Sequence, residues 1–172
     1  MKNRILITGA LGQLGEFFVK SLISNNNYVL ATDIKENKIL DCDFEYFDIL
    51  DEKRADFLIK KYKINQIYNF AAILSAKGEQ NPLSTWEINN TGFTNIAKLC
   101  LKNNIKRIFW PSSIAVFGRN SNLNLATNDE PMLPETMYGV SKLACEKSMF
   151  YFNYKKLLYI RSIRFPGIVS NS

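Results

Sequence analysis

Three glycines, an aspartate, two serines and a tyrosine–lysine pair are the residues of this chain whose types and spacing could do chemistry. Gly9, Gly12 and Gly15 form G-x-x-G-x-x-G directly after a short apolar run, Arg4 to Thr8. Glycine there lets the backbone turn sharply and approach a pyrophosphate closely, and the third glycine allows a helix to pack tightly on a strand. The helix that follows aims its free N-terminal amides at negative charge. Asp33 ends a second apolar run, 18 residues after Gly15. A carboxylate at that point accepts hydrogen bonds from both ribose hydroxyls of an adenosine and repels a 2′-phosphate, which favours NAD over NADP.

Tyr138 and Lys142 lie four apart, so they share a helix face. An isolated tyrosine titrates near ~10 and is a poor base at neutral pH. A nearby ammonium favours the phenolate and lowers that value, after which the tyrosine can exchange a proton with an alcohol or a carbonyl. Ser112 and Ser113 follow a strand that Pro111 closes, where a hydroxyl can hold a substrate oxygen. The chain has no histidine, which removes serine–histidine and cysteine–histidine catalysis and histidine-ligated metals together. Cys42, Cys100 and Cys145 are widely spaced with no C-x-x-C pair, so neither a disulfide framework nor a metal site is expected.

These residues need a scaffold, and the pattern supplies one. Short apolar runs at 4–8, 28–32, 44–47, 66–70, 107–110 and 159–164 read as strands. Helical spacing is present at 12–24, 51–62, 83–103 and 136–152, and a long loop is expected at 118–134. Alternating strands and helices specify an α/β domain with a mainly parallel sheet and right-handed crossovers. Trp86 and the Phe109–Trp110 pair read as core, and Cys145 as a small buried filler.

Composition agrees with a globular domain. The 172 residues are 47% hydrophobic, 22% charged and 13% aromatic, which excludes a disordered chain. The net charge of +6 comes from scattered lysines and only 6 arginines, a solvated surface rather than a nucleic-acid footprint. The N-terminus has a basic start and an apolar stretch, but the stretch is short and enters the glycine turn, so it is a strand and not a signal peptide. No run is long enough to span a bilayer, no membrane role is expected, and the cytosol is the expected location.

Together, G-x-x-G-x-x-G, Asp33, Asn69-Phe-Ala-Ala72, Ser112-Ser113 and Tyr138-x-x-x-Lys142 resemble the extended short-chain dehydrogenase/reductase superfamily, also called the NAD-dependent epimerase/dehydratase superfamily. The blocks Leu74-Ser-Ala-Lys-Gly-Glu79, Trp86-Glu-Ile-Asn89, Phe109-Trp-Pro-Ser-Ser-Ile-Ala-Val-Phe-Gly118 and Arg161-Ser-Ile-Arg-Phe-Pro-Gly167 are most similar to the short-chain type of L-threonine 3-dehydrogenase.

The resemblance implies a Rossmann-type doubly wound parallel sheet flanked by helices, with NAD as cofactor. It implies Tyr138 as general base, Lys142 holding the nicotinamide ribose and Ser113 as the catalytic hydroxyl. Gly9, Gly12, Gln13, Leu14 and Gly15 would line the pyrophosphate, Asp33 the ribose, and Asp48 with Ile49 the adenine. Ala71 and Ala72 would pass close to the cofactor ribose, Pro166 would pack by the nicotinamide, and Asn89 would shape the neighbouring helix. Ser75, Lys77 and Ser112, with Ser113 and Tyr138, would face the small-molecule substrate. The implied reaction oxidises L-threonine at its 3-hydroxyl to 2-amino-3-ketobutyrate. A homodimer through helices 83–103 and 136–152 is also implied.

Members of this family are nearly twice as long, so the resemblance implies one NAD-binding domain over 1–172 whose C-terminal substrate region is missing. A nucleotide-sugar epimerase or dehydratase of the same superfamily and a non-catalytic NAD-binding module are the alternative functions. The Leu-Ser-Ala-Lys-Gly-Glu block argues against the first, and the short length favours the second.

Overall fold

The computed structural model describes residues 3–36, 41–119, 121, 127 and 130–167. Parts of the expected 118–134 loop and the end at Ser172 lie outside these residues.

Six strands form one parallel sheet: β1 (Arg4–Thr8), β2 (Tyr28–Asp33), β3 (Asp43–Tyr46), β4 (Gln66–Asn69), β5 (Arg107–Phe109) and, after a further short strand, β7 (Tyr159–Arg161). Their order is β3-β2-β1-β4-β5-β7. This is the doubly wound order in which the direction of winding reverses between β1 and β4. The sheet is parallel throughout, so all strands end on one edge, and the loops after them share that edge.

The strands are apolar on both faces, as a buried parallel sheet requires. Leu6, Leu30, Ile67, Ile108 and Ile160 pack with residues of α2 (Glu52–Lys61), α5 (Gly92–Lys102) and α6 (Met137–Tyr154). On the other face Ile5, Ile7, Val29 and Ala31 pack with Val19 of α1 (Gln13–Ser24). Phe18 of α1 reaches further, lying 5.0 Å from the Phe70 ring and 5.4 Å from that of Phe109.

Two expected elements are broken where the site is built. The helix read at 83–103 consists of α4 (Pro82–Trp86), a π turn (Glu87–Thr91) and α5, preceded by a one-turn helix α3 (Ser75–Gly78). The strand read at 159–164 splits in two. Tyr159–Arg161 stays in the main sheet, while β8 (Arg164–Phe165) leaves it to pair in parallel with β6 (Ser112–Ser113). The third strand begins at Asp43 rather than Phe44, and α6 runs to Tyr154. Trp110 is 2% exposed and packs on Phe93, as core, whereas Trp86 is 43% exposed and is not core.

Candidate active site

At the β1–α1 turn Gly9 has a φ of 63°, a conformation glycine adopts without strain. A methyl there would also meet the backbone of Phe70 and Ala71 at the end of β4. At Gly15 a methyl would overlap the Gly9 carbonyl and Ala10, so α1 rests directly on the turn. Gly12 is the N-cap of α1 and brings no side chain to cap the helix. The first amides of an α-helix have no partner within the helix. Those of Gln13 and Leu14 therefore open into the crevice above β1 and β4. The turn is a cradle that a Cβ would fill, and its chemistry fits a pyrophosphate.

Asp33 holds that cradle as well as bordering it. One carboxylate oxygen accepts from the Leu11 amide at 3.0 Å and the other from the Lys35 amide at 3.1 Å. Each oxygen keeps a second lone pair for a sugar hydroxyl. Asp48 is exposed and accepts from the Leu50 amide at 2.9 Å. Ile49 turns inward, 5% exposed, against Gly92 of α5. Of this pair only Asp48 has an exposed side chain, and that of Ile49 is buried in the core.

Ala71 and Ala72 follow β4 and are half-buried. Their path is set by two polar side chains. The Thr8 hydroxyl donates to Asn69 and accepts from the Ala71 amide at 3.2 Å. Asn89, 3% exposed and inside the π turn, accepts from the Ile73 amide at 2.8 Å. Its amide group donates to the Ile73 carbonyl at 3.1 Å and to the Ser141 hydroxyl at 3.0 Å. Ser141 in turn donates to the Tyr138 carbonyl at 2.7 Å. A π turn adds one residue to the helix and is frequent at functional sites. Here it frees Asn89 to tie the 71–74 loop to the Tyr138 helix. Cys145, fully buried, donates its thiol to the Asn89 carbonyl at 3.6 Å.

Tyr138 opens α6. The Thr136 hydroxyl caps this helix by accepting from the Gly139 amide at 3.0 Å, and Glu79 accepts from the Met137 amide at 2.8 Å. Sequence reading gave Glu79 no role, because its partner lies 58 residues away. Burial pushes the Tyr138 phenol above its usual range, and a hydrogen bond with Ser113 pulls it back in part. The depression expected from Lys142 is therefore not what sets Tyr138. Lys142 is 2% exposed and donates to the Pro111 carbonyl at 2.7 Å, with its ammonium 4.2 Å from the centre of the Trp110 ring and 5.5 Å from that of Tyr138. Burial lowers its own pKa to about 8.

Ser113 accepts from the Ala115 amide at 3.2 Å and so starts a 3-10 turn at Ile114–Val116. A cavity of about 600 Å³ lies above these groups, and Gln13, Ser75, Ser113, Tyr138 and Pro166 all line it. Five of the expected site residues thus meet in one space. Ser112 does not join them. It is 3% exposed and donates to Glu146 at 2.5 Å, so a substrate-facing role is corrected to a structural bond. Lys77 is exposed at the end of α3, outside the lining of the cavity. Among the described residues no cluster of acids and cysteines could hold a metal, and no helix is long and apolar enough to cross a membrane.

Comparison with known proteins places the chain in one family. Residues 5–171 match the NAD dependent epimerase/dehydratase family. An uncharacterized epimerase/dehydratase of Staphylococcus saprophyticus is 38% identical, over 98% of this chain and 54% of its own. A GalE-like L-threonine dehydrogenase from Cupriavidus necator, solved in its holo form, superposes with a TM-score of 0.94 at 32% identity, over 98% of this chain and 56% of its own. The L-threonine dehydrogenase of Clostridium difficile superposes at 0.92 with 35% identity, over 98% and 55%. The chain spans about half the length of the curated relatives it matches.

Proposed function

The chain belongs to the NAD-dependent epimerase/dehydratase family, with NAD as its cofactor, and on that premise we propose that it is an L-threonine 3-dehydrogenase-like enzyme, or the cofactor-binding part of one. The observation that carries this reading is the shared cavity wall of Ser113 and Tyr138, with Lys142 buried behind it. The threonine dehydrogenases that superpose on nearly the whole chain support the choice of substrate.

Bound NAD supplies the hydride acceptor. Amides of the Gly9–Gly15 turn hold its pyrophosphate, and Asp33 takes the adenosine ribose hydroxyls. Ser113 holds the substrate oxygen beside Tyr138, whose phenolate oxygen takes the hydroxyl proton. Lys142, buried behind this pair, donates to the Pro111 carbonyl and steadies the backbone that carries Ser113. Placing hydroxyl and acceptor together removes much of the entropic barrier. Ser75 lines the same space and is a candidate contact for the substrate's polar groups.

The helices Pro82–Lys102 and Met137–Tyr154 carry exposed Leu83, Trp86, Leu101, Val140 and Phe150. We assign these helices to a homodimer, and the enzyme to the cytosol and to threonine catabolism. NADH production on adding L-threonine and NAD tests the reading. Tyr138→Phe should cut the rate by about 10²–10⁴-fold and leave NAD affinity nearly intact. NAD binding without any threonine-dependent NADH would favour the non-catalytic alternative.

A further inference from the structure

We infer that Glu146 is a positioning residue that fixes Ser113 and Pro166 relative to Tyr138 by gripping both strands beneath them. The inference rests on the reading of Ser113 and Tyr138 as the reacting pair.

Ser112 and Arg164 are register partners of the two-stranded β6–β8 sheet, and Ser113 and Phe165 are the next pair. Glu146 takes hold of both members of the first pair. One of its oxygens accepts from the Ser112 hydroxyl at 2.5 Å and from Arg164 Nε at 2.9 Å. The other accepts from Arg164 Nη2 at 2.8 Å. A guanidinium held by two parallel bonds is fixed in direction as well as distance. The Ser112 amide also donates to the Ile163 carbonyl at 2.9 Å, which completes the attachment of one strand to the other.

The second pair stands one step nearer the cavity. Ser113 lines it directly, and Phe165 leads into Pro166, which lines it too. Glu146 itself touches neither the cavity nor Tyr138. It lies on α6 eight residues after Tyr138 and four after Lys142. Residues at that spacing share a helix face. Along this face each side chain addresses the segment 110–113 in turn: Tyr138 meets Ser113, Lys142 meets the Pro111 carbonyl and Glu146 meets Ser112. A single helix thereby sets both the base and the strand pair that carries the opposing wall.

This pair is not a surface ion bridge. The side chains of Arg164 and Glu146 are 21% and 15% exposed. Burial would raise the Glu146 carboxyl, but the bonds from Arg164 and Ser112 and the Arg164 charge outweigh it and hold the carboxyl below its usual range. Removing the charge on one side leaves the other without compensation.

Glu146→Gln in the chain as it stands tests the inference by two measurements. For turnover, kcat with threonine should fall by about a hundredfold, the scale of a displacement near 1 Å, while KM for NAD stays close to that of the parent. Unchanged kcat would overturn the inference. For hydrogen exchange, the amides of 112–117 and 163–165 should lose protection while those of β1 and β4 keep theirs. Exchange that rises evenly over the whole chain, or nowhere, would also overturn it. If the parent chain oxidises no threonine, its reading as an active dehydrogenase fails, and the exchange measurement alone then decides whether Glu146 fixes the wall.

Discussion

Lys142 rests its ammonium on the Pro111 carbonyl at 2.7 Å, two residues ahead of Ser113. The lysine of the helix and the serine of the opposing wall are thus joined through one short stretch of backbone. Burial lowers the Lys142 pKa from 10.5 to about 8. Below that value both the folded and the unfolded chain hold the proton, and the cost of burying the charge is fully present. As pH rises from about 8 towards 10.5, the folded chain releases its proton first, so this group's cost declines and stability rises. Urea unfolding of the parent and of Lys142→Met on either side of that window should show the gain in the parent and not in the variant.

The Ser113–Tyr138 bond predicts a pH effect of its own. Burial raises the phenol and Ser113 lowers it. Ser113→Ala removes the lowering influence, so the alkaline rise of kcat/KM should move to higher pH. Ser113→Thr keeps the hydroxyl and should leave the rise near its original place. An unmoved profile in Ser113→Ala would separate Ser113 from the base.

Asp33 holds the Leu11 and Lys35 amides, and the proposed reading adds the adenosine ribose to them. Asp33→Asn should weaken NAD by about tenfold, the scale of one charge-assisted hydrogen bond. It should also reduce discrimination against NADP, because the carboxylate that repels a 2′-phosphate is gone. Calorimetric titration with each cofactor reads the ratio. Equal affinity of the parent for both would contradict the role given to Asp33.

Asn89 satisfies the Ile73 amide, the Ile73 carbonyl and the Ser141 hydroxyl from a buried position. Asn89→Leu leaves these groups to find other partners in a space that offers little room. A loss of about 1–3 kcal/mol in unfolding free energy is expected for each group left unpaired. Denaturant unfolding measures the loss, and a variant as stable as the parent would show that the 71–74 loop is held by other means.

Much of this architecture is legible in the sequence because its causes are local. Gly9, Gly12 and Gly15 lie within seven residues and announce their turn, and Asp33 marks the end of the strand after the first helix. Tyr138 and Lys142 meet by simple helical spacing. The features that escaped reading depend on distant partners. Asn89 opens the π turn to reach Ile73, 16 residues back, and Ser141, 52 residues on. The strand read at 159–164 breaks because Arg164 and Phe165 find Ser112 and Ser113, not the main sheet. Ser112 looked like a substrate group by its neighbour, yet its hydroxyl belongs to Glu146, 34 residues away. Hydrophobic spacing records which side of an element is buried, and it is silent on which polar group waits there.

The π turn at Glu87–Thr91 also works as a phase adjuster. An ordinary helix advances about 100° per residue, so a residue added to it would turn everything downstream by that angle, and a π turn takes up that extra residue instead. Phe93, Ile96 and Cys100 of the following helix are buried in the phase the turn provides. Deleting one residue of the turn would regularise the helix and keep those three side chains buried, at the expense of the bonds Asn89 makes to Ile73 and Ser141. The stretch Glu87–Thr91 is therefore where this helix takes up a change of length, and Asn89 is what the extra residue provides.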